Sequence, residues 1–207
     1  MTMQLYYSDV LMPRKACALA RHLQAPVEFV YLDLGKGEHH TPAYLALNPN
    51  GKVPTLVDGE RTLWESDAIL CHLSQRTDAG LWPHDPARQI EVLRWLSWGA
   101  QHFNRAASEL YFQYVIRPRF DLGPLDPAAV ETAQADFRTY AAVLDGHLRG
   151  REWLADDDMT VADFAVAIAL PYAEAASMPV EDFPEVARWH GQLNRLEAWR
   201  EPFPTRS

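Results

Sequence analysis

Apolar and polar positions alternate at the start of the chain. Met3, Leu5 and Tyr7 fall on one side and Gln4, Tyr6 and Ser8 on the other, the period-two pattern of a half-buried strand. Pro13 then predicts a helix start, because its fixed φ suits a first turn and its missing N–H is not needed there. Ala16, Leu19, Ala20 and Leu23 recur at i, i+3, i+4 and i+7, one apolar helix face. Residues 27–32 are rich in β-branched and aromatic side chains and predict a second strand. A βαβ unit this short implies a parallel pair. Residues 35–50 read as loop and short helix. Residues 53–57 and 60–64 read as strands joined by a tight turn at Asp58-Gly59, where positive φ is needed. Residues 66–75 predict a helix with Ala68, Ile69, Leu70 and Leu73 as its apolar set.

The order βαβ, connection, ββα is that of a thioredoxin-like domain. Residues 77–86 hold Gly80, Pro83 and Pro86 and read as a linker. Beyond it no stretch reads as a strand. Leu93, Leu96, Ala100, Phe103, Ala107, Leu110 and Tyr114 follow a seven-residue rhythm up to Pro118, which predicts one long helix. Further helices are predicted over 126–149, 160–176 and 184–197. The expected architecture is an α/β thioredoxin-like domain over 1–78 and an all-α domain over 87–207.

Composition narrows the function. A net charge of −9 argues against a general nucleic-acid binder, whose phosphate contacts need clustered Lys and Arg. No run of eighteen apolar residues predicts a membrane span, and the first residues do not read as a signal peptide. Two cysteines, Cys17 and Cys71, are too few for a disulfide framework, so a reducing cytoplasm is the expected home.

Three segments carry a resemblance. Asn48-Pro49-Asn50-Gly51-Lys52-Val53-Pro54, then Trp64-Glu65-Ser66-Asp67-Ala68-Ile69, then Trp153-Leu154 with Met159-Thr160-Val161-Ala162-Asp163 stand in this order along essentially the whole chain. Together they resemble the cytosolic-type, bacterial-like glutathione transferases. The first two resemble the family's glutathione-binding segments and the third its C-terminal folding motif. The resemblance implies glutathione as co-substrate, no metal, a homodimer and an all-helical second domain.

It also assigns residues. The Val53–Pro54 bond is expected to be cis, with both backbone groups of Val53 pairing with the cysteinyl part of glutathione; the alternative is an edge-strand proline. The γ-glutamyl carboxylate is expected on Ser66, at a helix N-terminus with free N–H groups and partial positive charge, while Glu65 pairs with the ammonium. Ser66 could instead only cap that helix. Lys52 and His39 are candidates for the glycine carboxylate. The pair His39-His40 could equally be solvated loop, and no further residues at metal-ligand spacing accompany it.

The catalytic position departs from the family. Conjugation needs the thiolate, and lowering a thiol from about 8.5 by two units takes roughly 2.7 kcal/mol. The family uses a hydroxyl or thiol near the end of the first strand, four or five places before a basic residue of the first helix. Counting back from Lys15 lands on Val10 and Leu11, which donate nothing from their side chains. Tyr7, by register with tyrosine-type members, and Ser8 are the side-chain candidates; Tyr7 also reads as core, and a site with no side-chain donor stays open. Cys17 reads as core.

The electrophile pocket is expected between the domains against the long helix, where Trp95, Trp98, His102, Arg105 and Glu109 run along a second face. Trp98 and His102 are the candidates, although tryptophans there also serve to pack a bundle. Thr160 and Asp163 read as a capping box. The function expected is conjugation of glutathione to a small hydrophobic electrophile. The alternatives are a non-catalytic binding or interaction protein of the same fold, or a glutathione-dependent peroxidase, isomerase or dehalogenase.

Overall fold

The computed structural model describes residues 2–155 and 157–205. They cluster as two units: residues through Trp82 joined by the chain from Leu196 on, and Pro83–Arg195.

The first unit begins with β1 (Met3–Tyr7), α1 (Leu11–His22) and β2 (Val27–Tyr31). After α2 (Pro42–Leu47) come β3 (Thr55–Asp58), β4 (Arg61–Trp64) and α3 (Ser66–Thr77). The sheet order is β2-β1-β3-β4, with β1 parallel to β2 and antiparallel to β3. β4 returns antiparallel to β3 through Asp58-Gly59, where Gly59 has the positive φ such a turn requires. Met3, Leu5 and Tyr7 are buried, as the alternation along β1 predicts. Helices α1 and α3 pack together over this sheet, joined by a partly buried ion pair between Lys15 and Asp67.

The C-terminal segment is integral to this unit, whereas the sequence reading assigns residues 87–207 to the helical domain. Helix α10 (Glu197–Arg200, numbered in chain order) buries Trp199 completely. Arg14 and Arg21 of α1 donate to the carbonyls of Trp199 and Phe203. Composition cannot reveal such a return, because it depends on two arginines meeting carbonyls that lie far along the chain.

In the second unit the backbone is helical from Pro86 to Arg119, as α4 (Pro86–Trp98), α5 (Asn104–Tyr111) and α6 (Arg117–Arg119) joined by π-helical turns at Gly99–Phe103 and Phe112–Ile116. The buried face of α4 is already set off Leu93 before the first wider turn. Val92, Trp95, Leu96, Phe103, Ala106, Ala107 and Leu110 are buried, while Leu93 and Ala100 of the predicted rhythm are exposed. Gly99 permits the close approach of α8 (Val161–Val166), since a Cβ there would stand 2.9 Å from Cγ2 of Val166. α7 (Pro127–Leu148) is capped by the Asp126 carboxylate. The helix predicted over 160–176 ends at Val166, ahead of Pro171, whose ring and missing N–H do not continue a helix. α9 (Pro184–Leu193) completes the unit.

Asp163 organises this core. It accepts from Leu154 N and Trp189 Nε1 through Oδ1, at 3.0 and 2.9 Å, and from Thr160 N through Oδ2 at 2.8 Å. Thr160 and Asp163 complete the predicted capping box. Burial nevertheless raises the Asp163 carboxyl to about 6.

Candidate functional site

Within the first unit, Met12, Asn48, Asn50, Lys52, Val53, Pro54, Glu65 and Ser66 line one cleft. Three chain segments meet there: the first turn of α1, the loop entering β3, and the junction of β4 with α3.

The loop is held from behind by a polar knot. Asn48 is buried and donates from Nδ2 to the carbonyl of Lys52 at 2.8 Å and to Thr55 Oγ1 at 3.0 Å. Its Oδ1 accepts from the Asn50 backbone and side chain. The Tyr44 hydroxyl donates to the same Lys52 carbonyl at 2.6 Å. Gly51 takes a positive φ, and a Cβ there would lie 2.9 Å from Nδ1 of His40. The Val53–Pro54 bond is cis. Ladder pairing of β3 begins only at Thr55, so Val53 stands just outside it. An extended ligand can therefore pair with Val53 as an added strand would.

At the other wall, Glu65 is the N-cap of α3 but makes no capping bond with its side chain. Its φ of 70° is left-handed, a conformation costly for a residue with a Cβ. That backbone turns the exposed Glu65 carboxylate outward beside Ser66, the first helical residue. Ser66 is thus not the cap; its hydroxyl donates instead toward Sδ of Met12 at 4.0 Å. First-turn amides of a helix have no acceptor within the helix, so this corner suits a carboxylate.

Helix α1 starts two residues before Pro13, which moves the position next to the cleft. Val10 is its N-cap, Leu11 is buried, and Met12 faces the cleft. The count back from Lys15 lands on Val10 and Leu11, whereas the side chain of this turn that lines the cleft is Met12. Recognising that Pro13 also fits the third helical position would have exposed it. Pro13 has no N–H and Arg14 N bonds to Val10 O, which leaves the amides of Leu11 and Met12 as the free donors of that turn.

Other candidates lie elsewhere. Tyr7 is 2% exposed, stacked on Phe203 and edge-on to Phe29 and Tyr31, in the core behind β1. Ser8 is equally buried. Neither lines the cleft. His39 also lies off its wall, its ring 3.9 Å from that of His40, and burial followed by the charge of His40 lowers its titration. Burial pushes the Cys17 thiol up strongly and the Cys71 thiol to about 12, so neither is a ready nucleophile. In the second unit, Trp98 packs on Trp95, Phe103 and Tyr140, and His102 lies against Tyr140, both engaged with α7. Among the described residues no group of three His, Cys, Asp or Glu side chains could hold a metal, and no helix is long and apolar enough to cross a membrane.

Residues 1–75 match the family model for the glutathione S-transferase N-terminal domain and residues 107–197 that for the C-terminal domain. The chain is 30% identical over 190 residues to glutathione S-transferase GstB of Escherichia coli K12, covering 90% of each chain. The chain belongs to the glutathione S-transferase family. It is 37% identical over 171 residues to glutathione S-transferase 3 of Zea mays, covering 78% of this chain and 75% of that one. Among solved structures it is similar to the glutathione transferase URE2P6 of Phanerochaete chrysosporium in complex with oxidized glutathione, with TM-score 0.83, 28% identity, and coverage of 97% and 94%. The transferase fold of an α/β first domain and an all-helical second one is thus present in full.

Proposed function

We propose that this transferase-family protein binds glutathione in the cleft of its first unit and conjugates it to a small hydrophobic electrophile. The observation that carries the reading is the convergence of Lys52, Val53, cis Pro54, Glu65 and Ser66 on one cleft. Ser66 and the α3 amides suit the γ-glutamyl carboxylate, Glu65 its ammonium, Val53 the cysteinyl backbone and Lys52 the glycine carboxylate. His39 is a second candidate for that carboxylate, as a hydrogen-bond donor from its imidazole. A relative of 28% identity binding oxidized glutathione supports the same ligand class. In the reaction the sulfur attacks the electrophilic carbon, a C–S bond forms, the leaving group departs with its electron pair, and the thiol proton goes to solvent. With Tyr7 and Ser8 buried, the Leu11 and Met12 amides with the α1 dipole are the source of thiolate stabilisation. The second unit supplies the electrophile pocket, with Trp98 and His102 as its candidates, and the working form is a cytoplasmic homodimer.

Titration calorimetry with glutathione, and turnover of a chlorodinitrobenzene, test this. The wild type should bind, and Ser66→Ala should weaken binding by about 1.5–3 kcal/mol through loss of a charge-assisted hydrogen bond. Unchanged affinity in that variant would remove the clamp. One observation favours a second reading, a non-catalytic glutathione binder: Met12, the α1 side chain that lines the cleft, is a thioether with no proton to donate. Binding without turnover would select that reading.

A further inference from the structure

Ser66 and Asp67 are the first two residues of α3. Their corner offers first-turn amides to a carboxylate, yet Asp67 is itself an anion in that first turn. Left unpaired, it would be drawn to the same helix end and would repel a second carboxylate beside Ser66. The packing of α1 on α3 prevents this. Lys15 of α1 donates from Nζ to Oδ1 of Asp67, and the two side chains are 4% and 28% exposed. Neither residue lines the cleft, although Glu65 and Ser66 do. Opposite charges held together largely cancel at a distance. At Cys71, one turn along α3, burial is the main cause of the raised thiol, and the Asp67 and Lys15 charges act on it in opposite directions. The neighbouring cation of α1, Arg14, is engaged with the Trp199 carbonyl. The charged residues that line the cleft are Lys52 and Glu65.

We infer that Lys15 is a positioning residue that draws the Asp67 carboxylate away from the α3 N-terminus and neutralises it, keeping that corner open to the γ-glutamyl carboxylate of glutathione. The inference rests on the glutathione reading above. Lys15 acts through Asp67 and stands off the cleft wall.

Calorimetry on the full chain at pH 7 tests it with two ligands. One is glutathione. The other is its analogue with 4-aminobutyrate in place of the γ-glutamyl residue, which keeps the ammonium and lacks only the α-carboxylate. The ratio of the two affinities reads the carboxylate corner alone. In the wild type it should favour glutathione by about tenfold or more, through one charge-assisted hydrogen bond. Lys15→Met should lower the ratio about fivefold, because Asp67 then stands unpaired at the helix start. Lys15→Arg should keep it. Asp67→Asn should raise it about twofold or more, since Lys15 is then an uncompensated cation near the corner. The double variant of Lys15→Met with Asp67→Asn holds no unpaired charge and should return the ratio to within about twofold of wild type. A pair with a merely structural role would weaken both ligands together and leave the ratio fixed in every variant. That outcome, or a fall in Lys15→Met that the double variant does not reverse, overturns the assignment while glutathione binding stands. If Lys15→Met does not fold, an Asp67→Asn ratio equal to wild type overturns it alone. Binding of neither ligand by the wild type overturns the glutathione reading and this inference with it.

Discussion

The guanidinium of Arg14 donates from Nη2 to the carbonyl of Trp199 at 2.5 Å and lies 4.7 Å from the centroid of the same indole. One residue of the first helix thereby holds a helix near the end of the chain by a charge-assisted bond and a cation–π contact. Arg14→Met keeps the apolar stem and loses both, so it should destabilise the fold by about 2–3 kcal/mol. Trp199 is completely buried, so Trp199→Ala should cost more, about 3–5 kcal/mol. Urea denaturation of both variants measures this; two wild-type midpoints would show that the C-terminal segment is dispensable.

Tyr7 gives the opposite expectation for activity. Its ring stacks on Phe203 at a centroid distance of 6.0 Å, away from the cleft. Tyr7→Phe should leave the thiol pKa of bound glutathione and the turnover within about twofold of wild type. Tyr7→Ala should cost about 3–5 kcal/mol of stability. A raised thiol pKa in Tyr7→Phe, read from thiolate absorbance, would return the tyrosine to a catalytic role.

Asp163 ties pH to stability in the second unit. Its folded carboxyl titrates near about 6, and an unfolded aspartate near about 3.9. Between those values the folded state holds the extra proton. The contribution of this titration is therefore full below about pH 4 and is lost as pH rises through about 6. The difference in unfolding free energy between wild type and Asp163→Asn should fall from pH 4.5 to 6.5. Asp163→Asn should also be less stable at pH 7 by about 1–3 kcal/mol, because its amide N–H faces the Thr160 donors. A pH-independent difference would mean that the carboxyl does not titrate in this window.

Ile90 and Leu93, one turn apart on α4, are 63% and 47% exposed. An apolar pair of this kind on a helix surface suits a twofold interface between copies. Light scattering over a dilution series should give a mass near twice the 23.5 kDa chain, and Ile90→Glu should shift it toward the monomer. A 23.5 kDa species throughout the series would contradict the dimer.

The sequence by itself determined what depends on short-range pattern. Alternation along Met3, Leu5 and Tyr7, the Asp58-Gly59 turn and the Thr160/Asp163 capping box each follow from a few neighbouring residues, and each stands in the structure as read. The segments around Val53 and Ser66 could be named only through their resemblance to the family's glutathione-binding segments, since the residues alone left an edge-strand proline and a plain helix cap open. What only the tertiary structure decided depends on where distant parts meet. Met12 reaches the cleft because α1 begins two residues ahead of Pro13 and because Ser66 closes from α3. The alternation already puts Tyr7 on the core side of β1, but that Phe203 is what stacks on its ring comes from the far end of the chain. Along the long helix the π-helical turns add residues that no fixed period anticipates. Local preference sets the elements, but the side chain beside a ligand is chosen by packing between elements, which one-dimensional periodicity does not encode.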